Sequence, residues 1–160
     1  MAKIPDVGAE APDFTLPSLM LTGDVATRDE LTLSKLRGHA VVLAFYPGDE
    51  TPVCTRQMCA YSNDLAVFDG LDAKVWGISP QDLDSHERFA RHHGLGMPLL
   101  ADVDRAVAAT YGVTMLGIGV RRSVFVIDAD GVVRWRHVTM VGLTYPDAAT
   151  IAVQVATAQT

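Results

Sequence analysis

The chain has 160 residues, 49% of them apolar and 20% charged, with a net charge of −6. That balance fits one globular domain over residues 1–160 and excludes a disordered or low-complexity chain. The acidic surplus, with no basic run beyond Arg121–Arg122, argues against nucleic acid as a partner. No apolar run approaches the ~18 residues of a membrane span. The opening MAKIPDVGAEAPDF holds no signal-peptide core, so a soluble cytoplasmic protein is expected. Two cysteines, Cys54 and Cys59, are too few for a secreted disulfide framework. In a reducing compartment such a close pair reads as catalytic or metal-binding.

Short β-rich runs alternate with helical patterns along the chain, which points to an α/β domain with a central sheet. Near the N-terminus, DFTLPS reads as an early strand and TLSKLRG as a turn or short helix. HAVVLAFYP is a continuous apolar run stopped by Pro47–Gly48, a buried central strand. A helix follows, with Thr51 as N-cap and Pro52 in its first position. Met58, Tyr61, Leu65 and Phe68 recur on one face and Gly70 is a stop, so the helix is expected to run to residue 70. KVWGIS is the next strand. LDSHERFARHH is a helix with Leu83, Phe89 and Ala90 inward, ended by Gly94. MPLLAD is a short strand and DRAVAATYG a short helix. SVFVIDADGVVRWRHV is a hairpin around Asp130–Gly131. PDAATIAVQVATA is a last helix opened by Pro146. Trp76 and Trp135 fall in strand patterns and read as core. The order suggests a thioredoxin-like fold, with a central mixed β-sheet flanked by helices, among several possible α/β layouts.

The Thr51–Pro52 start places Cys54 among the free N–H groups of a helix N-terminus. Those groups and the helix dipole favour an anion, and the thiolate is the reactive form of cysteine. Cys59, in the second turn, receives much less of this field. On one helix, five residues advance ~7.5 Å and rotate ~140°, which leaves the Cα atoms roughly 8.7 Å apart. A disulfide needs about 4.4–6.8 Å. A bond between Cys54 and Cys59 therefore requires the helix start to unwind. Two other readings stay open: a pair of small buried apolar residues, or a metal site completed by His92 and His93. Asp49, Glu50 and Arg56 read as solvated charges, and RHH before Gly94 as a solvated helix end.

YPGDETPVCTRQMC resembles the active-site signature of the peroxiredoxins, P-x-x-x-T/S-x-x-C, here Pro47, Thr51 and Cys54. The second cysteine five positions on is similar to the Q-type branch, the bacterioferritin comigratory proteins. APDFTL, LRGHAVVLAFYP, WGISPQDLDSHERFARHHGL, PLLAD, AATYGV and RSVFVIDADGVV follow in the family's order. The resemblance implies a thioredoxin-like fold and reduction of hydrogen peroxide and organic hydroperoxides by cysteine, with no metal, haem or flavin cofactor. It implies that Cys54 attacks the peroxide, Thr51 hydrogen-bonds peroxide and thiolate, and Pro47 shields the site. Arg122 is the matching arginine, with Arg121 as the neighbouring fallback, and Cys59 matches the resolving cysteine. The expected partners are a hydroperoxide and a thioredoxin- or glutaredoxin-like reductant, with a monomer or weak homodimer as the assembly. Two positions depart from the pattern. Val53 replaces the usual glycine and stiffens the first turn. Gln57 replaces an acidic residue, so an ion pair with an arginine is lost or rewired. The competing functions are a thioredoxin-like disulfide reductase, whose motif is usually C-x-x-C, and a non-catalytic peroxide sensor or holdase.

Overall fold

The structure is a computed structural model that describes residues 2–115, 119–139 and 144–160. In chain order its elements are β1 (Thr15–Thr22), β2 (Val25–Thr32), a 3-10 turn (Leu33–Leu36), β3 (Ala40–Phe45), α1 (Pro52–Asn63) and α2 (Leu65–Gly70). They continue with β4 (Ala73–Ser79), α3 (Leu83–His93), β5 (Leu99–Ala101), α4 (Ala106–Thr110), β6 (Thr114–Met115) and β7 (Gly119–Val120). The last three are β8 (Ser123–Ile127), β9 (Val133–Val138) and α5 (Ala148–Ala158). Among the described residues, a mixed sheet runs in the order β2-β1-β5-β4-β3-β8-β9, and β6 pairs with β7. The strands β3, β4 and β5 are parallel neighbours; β1–β2, β1–β5, β3–β8 and β8–β9 are antiparallel. This is the mixed, helix-flanked sheet of the thioredoxin-like class.

Every residue of β3 is buried because the strand has strands on both sides and helices over both faces. The two-residue alternation of a strand divides it between two cores. Val42, Ala44 and the following Tyr46 face Met58, Tyr61, Phe68, Phe89, Ile151 and Val155. Val41, Leu43 and Phe45 face Trp76, Ile78, Val107, Tyr111 and Phe125. Burying side chains of this size contributes about 1.5–3 kcal/mol each. Together they fix β3 as the rigid platform from which the chain enters α1.

Several expectations need correction. The helix expected to run to residue 70 is two: α1 ends at Asn63, and α2 restarts at Leu65 after Asp64. Asp64 has φ −105° and ψ 16°, which breaks the α-helical run with neither proline nor glycine to announce it. The early strand is longer than DFTLPS and is one arm of a hairpin whose other arm, β2, is mostly exposed. The C-terminal helix is capped by Asp147, whose Oδ1 accepts from the Thr150 N–H at 2.7 Å, with Pro146 one residue earlier. The helix ends at Gly94 and Gly70 and the turn at Gly131 fall where the residues place them. Trp76 is buried and Trp135 half-buried. Among the described residues, no helix is long and apolar enough to cross a membrane.

Candidate active site

The loop of residues 46–51 joins β3 to α1, and its Asp49 is bound from below by a buried polar network. The Asp49 carboxylate accepts from Tyr46 Oη at 2.7 Å and Ser85 Oγ at 2.7 Å, and lies 2.8 Å from His86 Nδ1. The other His86 nitrogen is 3.0 Å from the Leu100 carbonyl. Both ring nitrogens are thus within hydrogen-bond distance of an oxygen, and the pair is buried, with side-chain exposures of 0% for His86 and 1% for Asp49. Burial, then the charge and hydrogen bond of Asp49, push the Tyr46 hydroxyl well above its usual pKa, so it stays a donor. The reading of Asp49 as a solvated charge is therefore wrong. The Asp49 N–H also donates to Gln81 Oε1 at 3.2 Å, which fixes the loop to the segment before α3.

Beyond Asp49 the chain turns through Glu50, at φ 63°, and enters α1. Thr51 occupies the N-cap position, but its side chain does not cap: Oγ1 donates to the Gly48 carbonyl at 3.2 Å. The sequence expectation of a hydroxyl cap is corrected on this point. The Thr51 hydroxyl closes the loop on itself instead, and Pro52 at the helix start needs no donor partner. Both Thr51 and Pro47 are exposed.

Cys54 lies in the first turn of α1 with no exposed surface. Arg122, immediately before β8 and 3% exposed, reaches it across the fold. Its Nη2 donates to Cys54 Sγ at 3.3 Å, and its Nη1 donates to Gln57 Oε1 at 2.5 Å. The Arg122 carbonyl accepts from both the N–H and the hydroxyl of Thr139, at 3.0 and 2.9 Å. These bonds lock the backbone that carries the guanidinium. Arg121, the fallback, does not take this place: its backbone N–H donates to the Val113 carbonyl at 2.6 Å, and its buried Nε has no hydrogen-bond partner among the described residues. The expected rewiring at Gln57 takes a defined form. Gln57 accepts from Arg122 and donates through Nε2 to Tyr61 Oη at 3.2 Å; Tyr61 in turn donates to the Pro146 carbonyl at 2.7 Å. Burial holds the Tyr61 hydroxyl protonated far above the usual range, opposed by the Gln57 hydrogen bond.

Cys59 is half-buried on the same continuous helix, and both thiols are free. Burial, then the negative charge of Glu50, raises its pKa above the ordinary thiol value. The helical constraint that keeps two such cysteines apart therefore holds in this state. The RHH segment is not simply solvated: His92 and His93 both contact Glu50, and neither cysteine joins that group among the described residues.

The structure thus brings together Cys54, Arg122 and Gln57, with Thr51 at the helix start and Cys59 one turn further. Sequence reasoning missed the Asp49–His86 pair and the Gln57–Tyr61–Pro146 chain. His86 carried one readable signal, its place on the apolar face of α3 three residues after Leu83 and three before Phe89.

The AhpC/TSA family model matches residues 7–136. The chain is 37% identical over 134 residues to the chloroplastic peroxiredoxin Q of Oryza sativa subsp. japonica, covering 80% of this chain and 57% of that protein. It thus spans little more than half the length of that relative. Among solved structures, the peroxidoxin BcpB of Mycobacterium tuberculosis aligns with 31% identity and a TM-score of 0.76, over 97% of both chains. The reduced 2-Cys peroxiredoxin of Plasmodium vivax aligns with 25% identity and a TM-score of 0.86, over 96% of both. By this match and these relatives, the chain belongs to the AhpC/TSA family, in the peroxiredoxin Q and bacterioferritin comigratory branch.

Proposed function

We propose that the chain is a thiol-dependent peroxidase that reduces hydrogen peroxide and organic hydroperoxides. The observation that carries this reading is the Arg122 guanidinium at 3.3 Å from a cysteine sulfur in the first turn of a helix. A fixed cation and the backbone N–H groups of a helix start are already in place when negative charge moves from sulfur to oxygen. The thiolate of Cys54 attacks one peroxide oxygen, the O–O bond breaks, and the second oxygen leaves as alkoxide or hydroxide and takes up a proton. Cys54 is left as a sulfenic acid. Arginine suits this step because it is always charged and offers several donors, so it can serve sulfur and leaving oxygen together. The Thr51 hydroxyl, which can donate and accept, orients the peroxide once it leaves the Gly48 carbonyl. Pro47 stands at the loop start and limits water there.

The cycle closes through Cys59. Once the first turns of α1 open, its thiolate attacks the sulfenic sulfur of Cys54, the S–O bond breaks, and hydroxide leaves and takes up a proton as the disulfide forms. A thioredoxin- or glutaredoxin-like dithiol then restores both thiols by exchange. The test is stopped-flow tryptophan fluorescence of the reduced protein mixed with hydrogen peroxide or an organic hydroperoxide. A fast change, stoichiometric with peroxide and absent in Cys54→Ser, is expected. Cys59→Ser retains one turnover and stalls donor-dependent cycling. Full steady-state activity in Cys54→Ser rejects the reading.

A further inference from the structure

Outside the Cys54 site, three side chains from two elements converge. Glu50 comes from the loop between β3 and α1; His92 and His93 close α3. His92 Nδ1 is 2.7 Å from one Glu50 carboxylate oxygen, and His93 Nε2 is 2.5 Å from the other. One ligand atom from each of the three lies within 4.8 Å of the others. Neighbouring helical side chains diverge by ~100°, yet these two rings sit with centroids 4.3 Å apart and planes inclined by 36°. Glu50 adopts φ 63°, a conformation uncommon for a residue with a side chain, and its carboxylate meets both rings from there.

We propose that Glu50, His92 and His93 form a binding site for a divalent late first-row cation, Zn2+ foremost, that fastens the loop ahead of Cys54 to the end of α3. Two imidazole nitrogens and one carboxylate oxygen are a recognised zinc donor set that leaves a fourth position for water. Imidazole favours Zn2+, Ni2+ and Cu2+ over the oxygen-seeking Ca2+ and Mg2+. At Zn–N and Zn–O lengths of ~2.0–2.2 Å, tetrahedral ligand atoms stand ~3.3 Å apart. Each histidine nitrogen and the carboxylate oxygen it faces need separate by less than ~1 Å to reach that spacing. His92 and Glu50 are exposed and His93 half-buried, so the side chains have room for that shift.

Glu50 stands two residues before α1 begins. A cation that joins it to α3 resists the opening of the first helical turns. It therefore slows closure of the Cys54–Cys59 disulfide and leaves attack on peroxide, which takes place in the closed helix, unchanged. This consequence rests on the peroxidase reading; the metal site does not.

The experiment has two arms and uses the full chain without a histidine tag. In the first, Zn2+ is titrated calorimetrically into Cys54→Ser/Cys59→Ser protein, where no thiol competes. One ion per chain is expected. Binding should weaken at least tenfold when Glu50→Gln, or His92→Gln with His93→Gln, is added, and should stay unchanged with His39→Gln. Absence of saturable binding, or equal affinity in all variants, overturns the site, whatever the protein does with peroxide. In the second arm, saturating Zn2+ is added to the thiol-bearing protein before peroxide. Disulfide closure should slow at least fivefold, with the peroxide step unchanged, and the slowing should vanish in the His92→Gln/His93→Gln protein. Slowing that persists there, or no slowing at all, overturns the regulatory role.

Discussion

Gln57 accepts a 2.5 Å hydrogen bond from Arg122, the same side chain whose other terminal nitrogen lies 3.3 Å from the Cys54 sulfur. Because Gln57 is neutral, it orients the guanidinium without adding a negative charge beside it. Replacement of Gln57 by alanine leaves a buried arginine donor and the Tyr61 hydroxyl without this partner. Gln57→Ala is expected to lose about 1–3 kcal/mol of stability in urea unfolding. Arg122→Lys keeps a charge but cannot serve both atoms from one planar fork. Its second-order rate with peroxide should fall by about 10²–10³. A rate within twofold of the parent removes Arg122 from the proposed machinery.

The Asp49–His86 pair yields a stability prediction. Both side chains are buried, and Asp49 also satisfies Tyr46 and Ser85. Removal of one partner leaves the other buried polar group short of a hydrogen bond and costs about 1–3 kcal/mol. Asp49→Asn and His86→Leu should each destabilise the protein on that scale in denaturant titrations. The double variant should lose markedly less than the two losses added together. Simple additivity shows that the pair does not act as a unit.

Val53 tests the link between helix order and disulfide closure. It stands where the family pattern has glycine, in the first turn of α1. Glycine loses more backbone freedom on entering a helix, at about 0.5–1 kcal/mol relative to alanine. Val53→Gly should therefore open the first turn more often. Faster hydrogen exchange of the amides around Cys54 is expected by mass spectrometry, together with faster disulfide closure after peroxide. If exchange speeds up while closure does not, helix opening is not what limits the second step.

Cys59 gives a prediction in pH. Burial, then the Glu50 charge, holds its thiol above the ordinary value, so in the folded state the thiolate appears only at higher pH than for a free cysteine. Alkylation of Cys59 in Cys54→Ser protein, with a chelator present, should follow a titration displaced to high pH. Removing a nearby negative charge favours the thiolate, so Glu50→Gln should move the profile to lower pH. A profile that Glu50→Gln leaves in place excludes that carboxylate as a cause.

How far the residues alone foretold this arrangement depended on whether a signal was local. The strand at HAVVLAFYP, the Pro52 helix start, the Gly94 stop and the Asp130–Gly131 turn each rest on residues with strong intrinsic preferences. β2 carried no such signal: VATRDELT is mostly exposed and lacks alternation, and only its register against β1 makes it a strand. Arg122 could be placed beside Cys54 through motif spacing, although the two are 68 residues apart. Asp49 could not be placed, because its burial depends on α3 crossing beneath the loop, and a carboxylate after Pro47–Gly48 reads as solvent-exposed. The Thr51 hydroxyl had two partners within reach, and the loop carbonyl won over the helix amides.

The Tyr61 hydroxyl gives its proton to the Pro146 carbonyl, the last peptide but one before α5. Tyr61 shares α1 with both cysteines and hangs from Gln57, itself held by Arg122. Any rearrangement around the sulfur that displaces this tyrosine leaves a carbonyl unpaired at the far end of the polypeptide. The terminal helix is thereby tethered to α1 nearly a hundred residues upstream, and its amides become a remote gauge of whether that helix has shifted.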